Sequence, residues 1–228
     1  MNDVTAALTA VRTRIQEAER TYGRPAGSVA LLAVSKTHPK EAVAEAFAAG
    51  QRAFGENHLQ DAMTKITALA DTPIEWHFIG PVQSNKTRAI AEHFAWVHTL
   101  ERERIARRLD EQRPPGAPPL NVCIEVNVSG EASKSGLAPE EVARFAGALR
   151  AYSRLKLRGL MTIPAPAEGL AAQRRALRPL ARLQNELLES GFDVDTLSMG
   201  MTDDLEAAIA EGATLVRVGT AIFGPRHS

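Results

Sequence analysis

Lys36 ends a short apolar run in the stretch LLAVSKTHP, residues 31–39. The chain has six lysines against twenty-one arginines, so a lysine delivered by a strand-like segment invites a chemical reading. An amine held beside cationic or apolar groups loses basicity and becomes a nucleophile toward carbonyl carbons. Near the other end, LVRVGTAIFG (215–224) sets Arg217 between Val216 and Val218. Strand faces alternate, so Arg217 faces opposite to both valines, and an enclosed guanidinium needs an acceptor. That acceptor is either a carboxylate such as Glu125 or a ligand. Gly219 and Thr220 follow, a pair that lets backbone N–H groups and a hydroxyl approach an anion. Ser198, Met199 and Gly200, in LSMGM, offer a second such loop.

The elements that would carry these groups show in the hydrophobic pattern. Val4, Leu8, Val11 and Ile15 trace one face of a first helix, ended by Gly23 and Pro25. VALLAV (29–34) is short, apolar and bounded by turn residues, which suits a strand buried on both faces. PKEAVAEAFAAG (39–50) follows as a helix with proline in its first turn and glycine at its end. Six further strands are expected in RAFGEN, IEWHFIG, FAWVHTL, LNVCIEVNV, LKLRGLMTI and DTLSMG, and TLVRVG closes the series, with a helical segment between each strand and the next. One of those helices is expected to be capped by Ser84, and another to start at Ala138. Strict alternation predicts a parallel sheet with right-handed crossovers. Eight units favour a closed (β/α)8 TIM barrel with an extra N-terminal helix. An open doubly wound sheet is the rival, but VSKTHP lacks the Gly-rich turn such a sheet carries after its first strand. RPPGAPPL (113–120) is too short for a linker, so 1–228 reads as one domain.

Barrel active sites sit at the C-terminal strand ends. There the strands deliver Lys36, Asn57, His77, His98, Asn127, Thr162, Ser198 and Arg217. Closure places the first strand beside the eighth, and so Lys36 near Arg217. An amine, an anion cradle and a guanidinium suit a phosphorylated aldehyde whose ring nitrogen needs a partner, as in pyridoxal 5′-phosphate. A phosphosugar handled through a lysine Schiff base suits the first two.

A formal net charge of zero and 5% aromatic residues argue against a nucleic-acid binder, which needs a basic footprint and stacking platforms. Cys123 is the one cysteine, so no intramolecular disulfide forms, and its apolar run makes it a core residue. The N-terminal segment is charged throughout, unlike a signal peptide, and no apolar stretch is long enough to span a membrane. A cytoplasmic protein is expected.

LLAVSKTHP, FGENHLQDA, EWHFIGPVQSNK, VNVSGEASKSG, RGLMTIP and LSMGMTDDLEAAIAEGATLVRVGTAIFG together resemble the pyridoxal phosphate homeostasis protein family, from about residue 30 to the end. The resemblance implies a barrel like the N-terminal domain of alanine racemase, the type III fold of pyridoxal phosphate proteins, without the C-terminal β-domain of the racemases. It implies a Schiff-base lysine at Lys36, Arg217 facing the pyridine nitrogen, and Asn57 beside the ring. It puts the phosphate on Ser198, Gly219 and Thr220, with Met199 in the same loop counted among the cofactor-binding residues. Thr202 stands where many relatives have serine, and His38 is variable in the family and receives no role.

Racemases of the related fold bring a tyrosine base from their second domain. Here the tyrosines are Tyr22 and Tyr152, both in predicted helices. Arg217 at the pyridine nitrogen would also keep that nitrogen unprotonated and weaken the electron sink. The expectation is therefore a non-catalytic protein of intracellular pyridoxal phosphate homeostasis and supply. Its partners would be the cofactor and apo-enzymes that need it, and a monomer is expected without the racemase dimer contact. The alternative is an amino-acid racemase-type enzyme with Lys36 as one base and a group such as His77 as the other. Lys134, in the polar loop 128–136, reads first as a solvated lysine and second as a site that passes the cofactor on.

Overall fold

Helix α1, Val4–Thr21, forms because Val4, Leu8, Val11, Ile15 and Ala18 recur at helical spacing and bury one face. Asp3 caps it, its carboxylate accepting from the Ala6 N–H at 2.9 Å. The helix ends in a Schellman turn. Gly23, at φ +64°, donates to the Arg20 carbonyl and Arg24 to the Glu19 carbonyl, in a left-handed backbone that favours a residue without Cβ. The computed structural model describes residues 3–131 and 134–225.

Eight parallel strands follow: β1 Ala30–Val34, β2 Ala53–Glu56, β3 Glu75–Phe78, β4 Trp96–Leu100, β5 Leu120–Glu125, β6 Leu155–Met161, β7 Thr196–Ser198 and β8 Leu215–Val218. Between them lie α2 Lys40–Ala48, α3 Leu59–Ala68, α4 Thr87–His93, α5 Glu103–Gln112, α6 Val142–Leu149, α7 Leu170–Glu189 and α8 Leu205–Ala210, and the short α9 Thr220–Phe223 follows β8. Each strand pairs with the next and β8 returns to β1, with Leu32 opposite Arg217 and Ala33 opposite Val218. The sheet is thus the closed (β/α)8 barrel expected from the alternation.

Strand alternation divides the buried residues into two layers. Val43, Phe54, Phe78, Val97, Ile124, Leu160 and Val216 belong to the large core between strands and helices. Trp96, Cys123 and Met161 form a small separate apolar cluster inside the barrel, beside the buried polar groups of His77, His98, Ser198 and Arg217.

Three local expectations change. β5 stops at Glu125 rather than Val128, because the Leu137 N–H takes the Glu125 carbonyl and leaves Val126 a single bridge to Leu137. The helix expected to be capped by Ser84 begins at Thr87; the Ser84 carbonyl, not its hydroxyl, is engaged, accepting from Thr87 Oγ1 at 2.9 Å. The helix expected from Ala138 opens as a 3-10 turn over Pro139–Glu141 before α6 begins. Among the described residues no helix is long and apolar enough to cross a membrane.

Candidate functional site

The end of β1 delivers Lys36 through a tight turn, in which the His38 N–H donates to the Ser35 carbonyl at 3.1 Å. Thr37, next to Lys36, has φ +66°. A β-branched residue pays a steric cost there, so surrounding contacts must hold the turn. They do so from behind. Lys65, on α3, donates at 2.7 Å to the Ser35 carbonyl and at 2.7 Å to Glu56 Oε1, and the Ser35 hydroxyl donates to the same carboxylate oxygen. All three residues are buried. Burial pushes the Glu56 carboxyl up, against the opposing pull of Lys65.

β2 delivers Asn57, whose backbone lies against Gly80 in the loop after β3. A Cβ on Gly80 would sit 2.2 Å from the Asn57 carbonyl oxygen, so only glycine allows this approach. Gly219 likewise packs on β1: a Cβ there would come within 3.0 Å of the Val34 carbonyl oxygen. Lys36, Asn57, Arg217, Gly219 and Thr220 line a single cavity of about 450 Å³ at the C-terminal mouth of the barrel. The loop between β7 and α8 adds Thr202 and Asp203 to its wall. Arg14 of α1 holds that loop by donating to the Thr202 carbonyl at 3.0 Å.

Arg217 does not pair with Glu125. Its Nη1 donates to the Ser198 carbonyl at 2.6 Å and to Ser198 Oγ at 2.8 Å, and its Nη2 donates to the Thr162 carbonyl at 2.8 Å. Glu125 acts on it only through space. Burial pulls the guanidinium down to about 10, which still leaves it cationic at neutral pH. Burial, followed by the charge of Glu101, raises the Glu125 carboxyl to about 7.

The structure therefore gathers five of the seven expected cofactor-binding residues around one cavity. Ser198 lies beneath it, fully buried, with its hydroxyl engaged by Arg217 and His98. Met199 points into the large outer core, and its N–H donates to the Leu215 carbonyl. Cys123 is buried, with its thiol pushed up to about 12, which removes it as a nucleophile. His77 is not at the mouth but inside the barrel, between Glu75 and His98. Tyr152 donates to Glu103, and Tyr22 lies under the Arg174 guanidinium. Lys134 sits 3.9 Å from Glu131, while Ala132 and Ser133 of the same loop lie outside the described residues.

Sequence reasoning missed Gly80 and Asp203 as parts of this mouth, and Lys65 as the clamp behind it. The motifs GEN and IGP hinted at Gly80, but only the fold shows that the two segments touch. A larger basin of about 770 Å³ lies at the opposite end, between α1 and the starts of β1 and β2. Of its four arginines, Arg12, Arg24 and Arg52 are tied to backbone carbonyls, and its wall carries no lysine. It has no amine for carbonyl chemistry.

The chain matches the family model described as alanine racemase, N-terminal domain, over residues 7–227. It is 59% identical, over 226 residues, to the pyridoxal phosphate homeostasis protein of Pseudomonas aeruginosa, covering 99% of this chain and 97% of that protein. PipY of Synechococcus elongatus, solved with PLP bound, superposes with a TM-score of 0.84 at 33% identity, covering 97% of this chain and 100% of that one. Alanine racemase of Corynebacterium glutamicum shares the fold at a TM-score of 0.71 and 18% identity, covering 97% of this chain but 62% of the racemase.

Proposed function

The chain belongs to the pyridoxal phosphate homeostasis proteins, within the family of the alanine racemase N-terminal domain, and on that premise we propose that its mouth cavity holds pyridoxal 5′-phosphate as a Schiff base on Lys36. The observation that carries the reading is one cavity presenting a lysine amine, an arginine, an asparagine and a Gly-Thr loop. The residues present fit the group. Asn57 Oδ1 is buried in that wall with no hydrogen-bond partner, an acceptor waiting for a donor. Gly219 carries no Cβ where the chain packs on the Val34 carbonyl, and Thr220 lines the same cavity, a loop that an anion can approach.

Pyridoxal phosphate supplies an aldehyde that condenses with amines and a ring that withdraws electrons. What this chain adds is orientation and restraint. Lys36 is fixed by the Ser35–His38 turn, with the Lys65 clamp behind it. Arg217, anchored to Ser198 and Thr162, would offer its remaining N–H groups to the ring nitrogen. As a donor there it leaves that nitrogen unprotonated and lowers the ring's electron demand. Thr202, Gly219 and Thr220 would hold the phosphate, and Ser198 would act through Arg217 rather than by touching the cofactor. The protein then stores and supplies the cofactor inside the cell as one barrel domain, keeping the aldehyde from stray amines and delivering it to apo-enzymes, without turnover of its own. The racemase alternative needs a second base, and Tyr22, Tyr152 and His77 are all engaged away from the cavity.

Borohydride reduction of the protein loaded with pyridoxal phosphate, followed by peptide mass mapping, tests the reading. A pyridoxyl mass on the Lys36 peptide supports it. Reduction of another lysine in its place, or no adduct at all, sinks it. Incubation with alanine, serine or glutamate in deuterated water separates carrier from enzyme, since sustained Cα exchange would establish turnover.

A further inference from the structure

A line of hydrogen bonds runs through the barrel, from its N-terminal end to the underside of the mouth. Glu75, with half its side chain exposed, accepts from His77 Nε2 at 2.8 Å. His77 Nδ1 meets His98 Nε2 at 2.9 Å, and His98 Nδ1 meets Ser198 Oγ at 2.8 Å. Ser198 Oγ in turn accepts from Arg217 at 2.8 Å. His77 is 1% exposed, and His98 and Ser198 are 0% exposed.

The two ends fix the direction. A guanidinium only donates and an ionised carboxylate only accepts. Ser198, accepting from Arg217, turns its own proton to His98 Nδ1. His98 then carries its proton on Nε2 and gives it to His77 Nδ1, and His77 gives its Nε2 proton to Glu75. Every bond is satisfied with both imidazoles neutral. Their surroundings agree: burial lowers the basicity of both rings, and at His98 the positive charge of Arg217 adds to it. Trp96 stacks on His77 at 5.2 Å, and Arg158, paired with Asp195, lies over the same indole. Cys123, Glu125 and Asp204 are the remaining titratable groups whose charge reaches Arg217.

We infer that Glu75, His77 and His98 are positioning residues, a one-way relay through which a carboxylate at the far end of the barrel sets the orientation of Ser198 and Arg217. The line can also run in reverse. A proton added to His77 pairs it with Glu75 as a cation, drives the His98 proton to Nδ1 and turns the Ser198 hydroxyl away. The state of the base is thereby written into the mouth, without any contact between Glu75 and the cavity. That this matters for a ligand rests on the reading that Arg217 meets the cofactor ring.

Histidine ¹⁵N spectra of the ligand-free protein at pH 7.5 test the relay. The wild type should show His77 and His98 neutral and protonated on Nε2. Glu75→Gln is nearly isosteric, but its amide either accepts or donates, so both directions become available and an Nδ1-protonated population of His98 should appear. Exchange of the Arg217 guanidinium protons should quicken about threefold to tenfold, and affinity for pyridoxal phosphate should fall by a similar factor. An imidazolium or an Nδ1–H form of His98 in the wild type overturns the inference. So does a Glu75→Gln protein whose His98 tautomer or Arg217 exchange is unchanged. A wild type that takes up no pyridoxal phosphate sinks the cofactor reading instead, because the tautomer and exchange measurements need no ligand.

Discussion

Lys65 Nζ donates to the carbonyl oxygen of Ser35 across 2.7 Å, and that carbonyl belongs to the peptide leading into Lys36. The ammonium therefore serves two partners, the backbone beneath the site lysine and the buried Glu56 carboxylate. Replacing Lys65 by methionine leaves Glu56 buried and unpaired, a loss of about 3–5 kcal/mol in chemical denaturation. Adding Glu56→Gln should return much of it. If the clamp also aligns Lys36, the repaired double variant will still trap pyridoxal phosphate on borohydride reduction more slowly than wild type. Equal trapping rates would confine Lys65 to a stability role.

Thr37 holds a left-handed backbone that costs a residue with a branched Cβ on the order of 1–2 kcal/mol. Thr37→Gly removes that cost but loosens the unfolded chain, so a net gain of roughly 0.5–1 kcal/mol is expected in the denaturation midpoint. Thr37→Val should instead be no more stable than wild type. A glycine variant that is destabilised would show that the threonine side chain, not its backbone, shapes the turn.

Gly80 and Asn57 leave no room between them. Gly80→Ala forces the backbone of one loop away, with an expected loss of roughly 1–3 kcal/mol. Because Asn57 shares the cavity wall with Lys36, affinity for pyridoxal phosphate measured by absorbance titration should fall with it. A stable variant with wild-type affinity would mean that the two loops separate without disturbing the mouth.

Glu125 gives a pH dependence of defined sign. Burial raises its carboxyl from 4.5 to about 7 in the native state, so the folded protein keeps a proton that the unfolded chain releases. The favourable contribution is complete below pH 4.5 and lost as pH rises through 7. Glu125→Gln is permanently neutral. It should match wild type near pH 4.5 and be more stable on the order of 2–3 kcal/mol at pH 8. Parallel pH–stability curves for the two proteins would remove the raised carboxyl from the account.

Much of this was readable beforehand because period and punctuation agree along the chain. Strands of pure apolar character between amphipathic helices leave little choice but a parallel barrel, and strand ends name Lys36, Asn57, Arg217, Gly219 and Thr220 directly. What stayed hidden depends on closure. In SMGM, and by the family resemblance, Ser198 reads as a loop hydroxyl for the phosphate, whereas β7 runs through Ser198 and its hydroxyl accepts from Arg217. His77 and His98 read as strand-end groups, but β3 and β4 continue past them to Phe78 and Leu100, which leaves both imidazoles inside the barrel. Lys65 sits on a helix face with no local sign that a carboxylate from the preceding strand awaits it.

The pairing of β1 with β8 has a consequence for how the protein is made. Lys36 is synthesised well before Arg217, and the two meet only when β8 docks on β1. A chain whose β8 has not docked thus carries Lys36 without Arg217, Gly219 and Thr220 beside it. On the proposed reading of the mouth, uptake of the cofactor becomes a report that the whole ring of strands has shut.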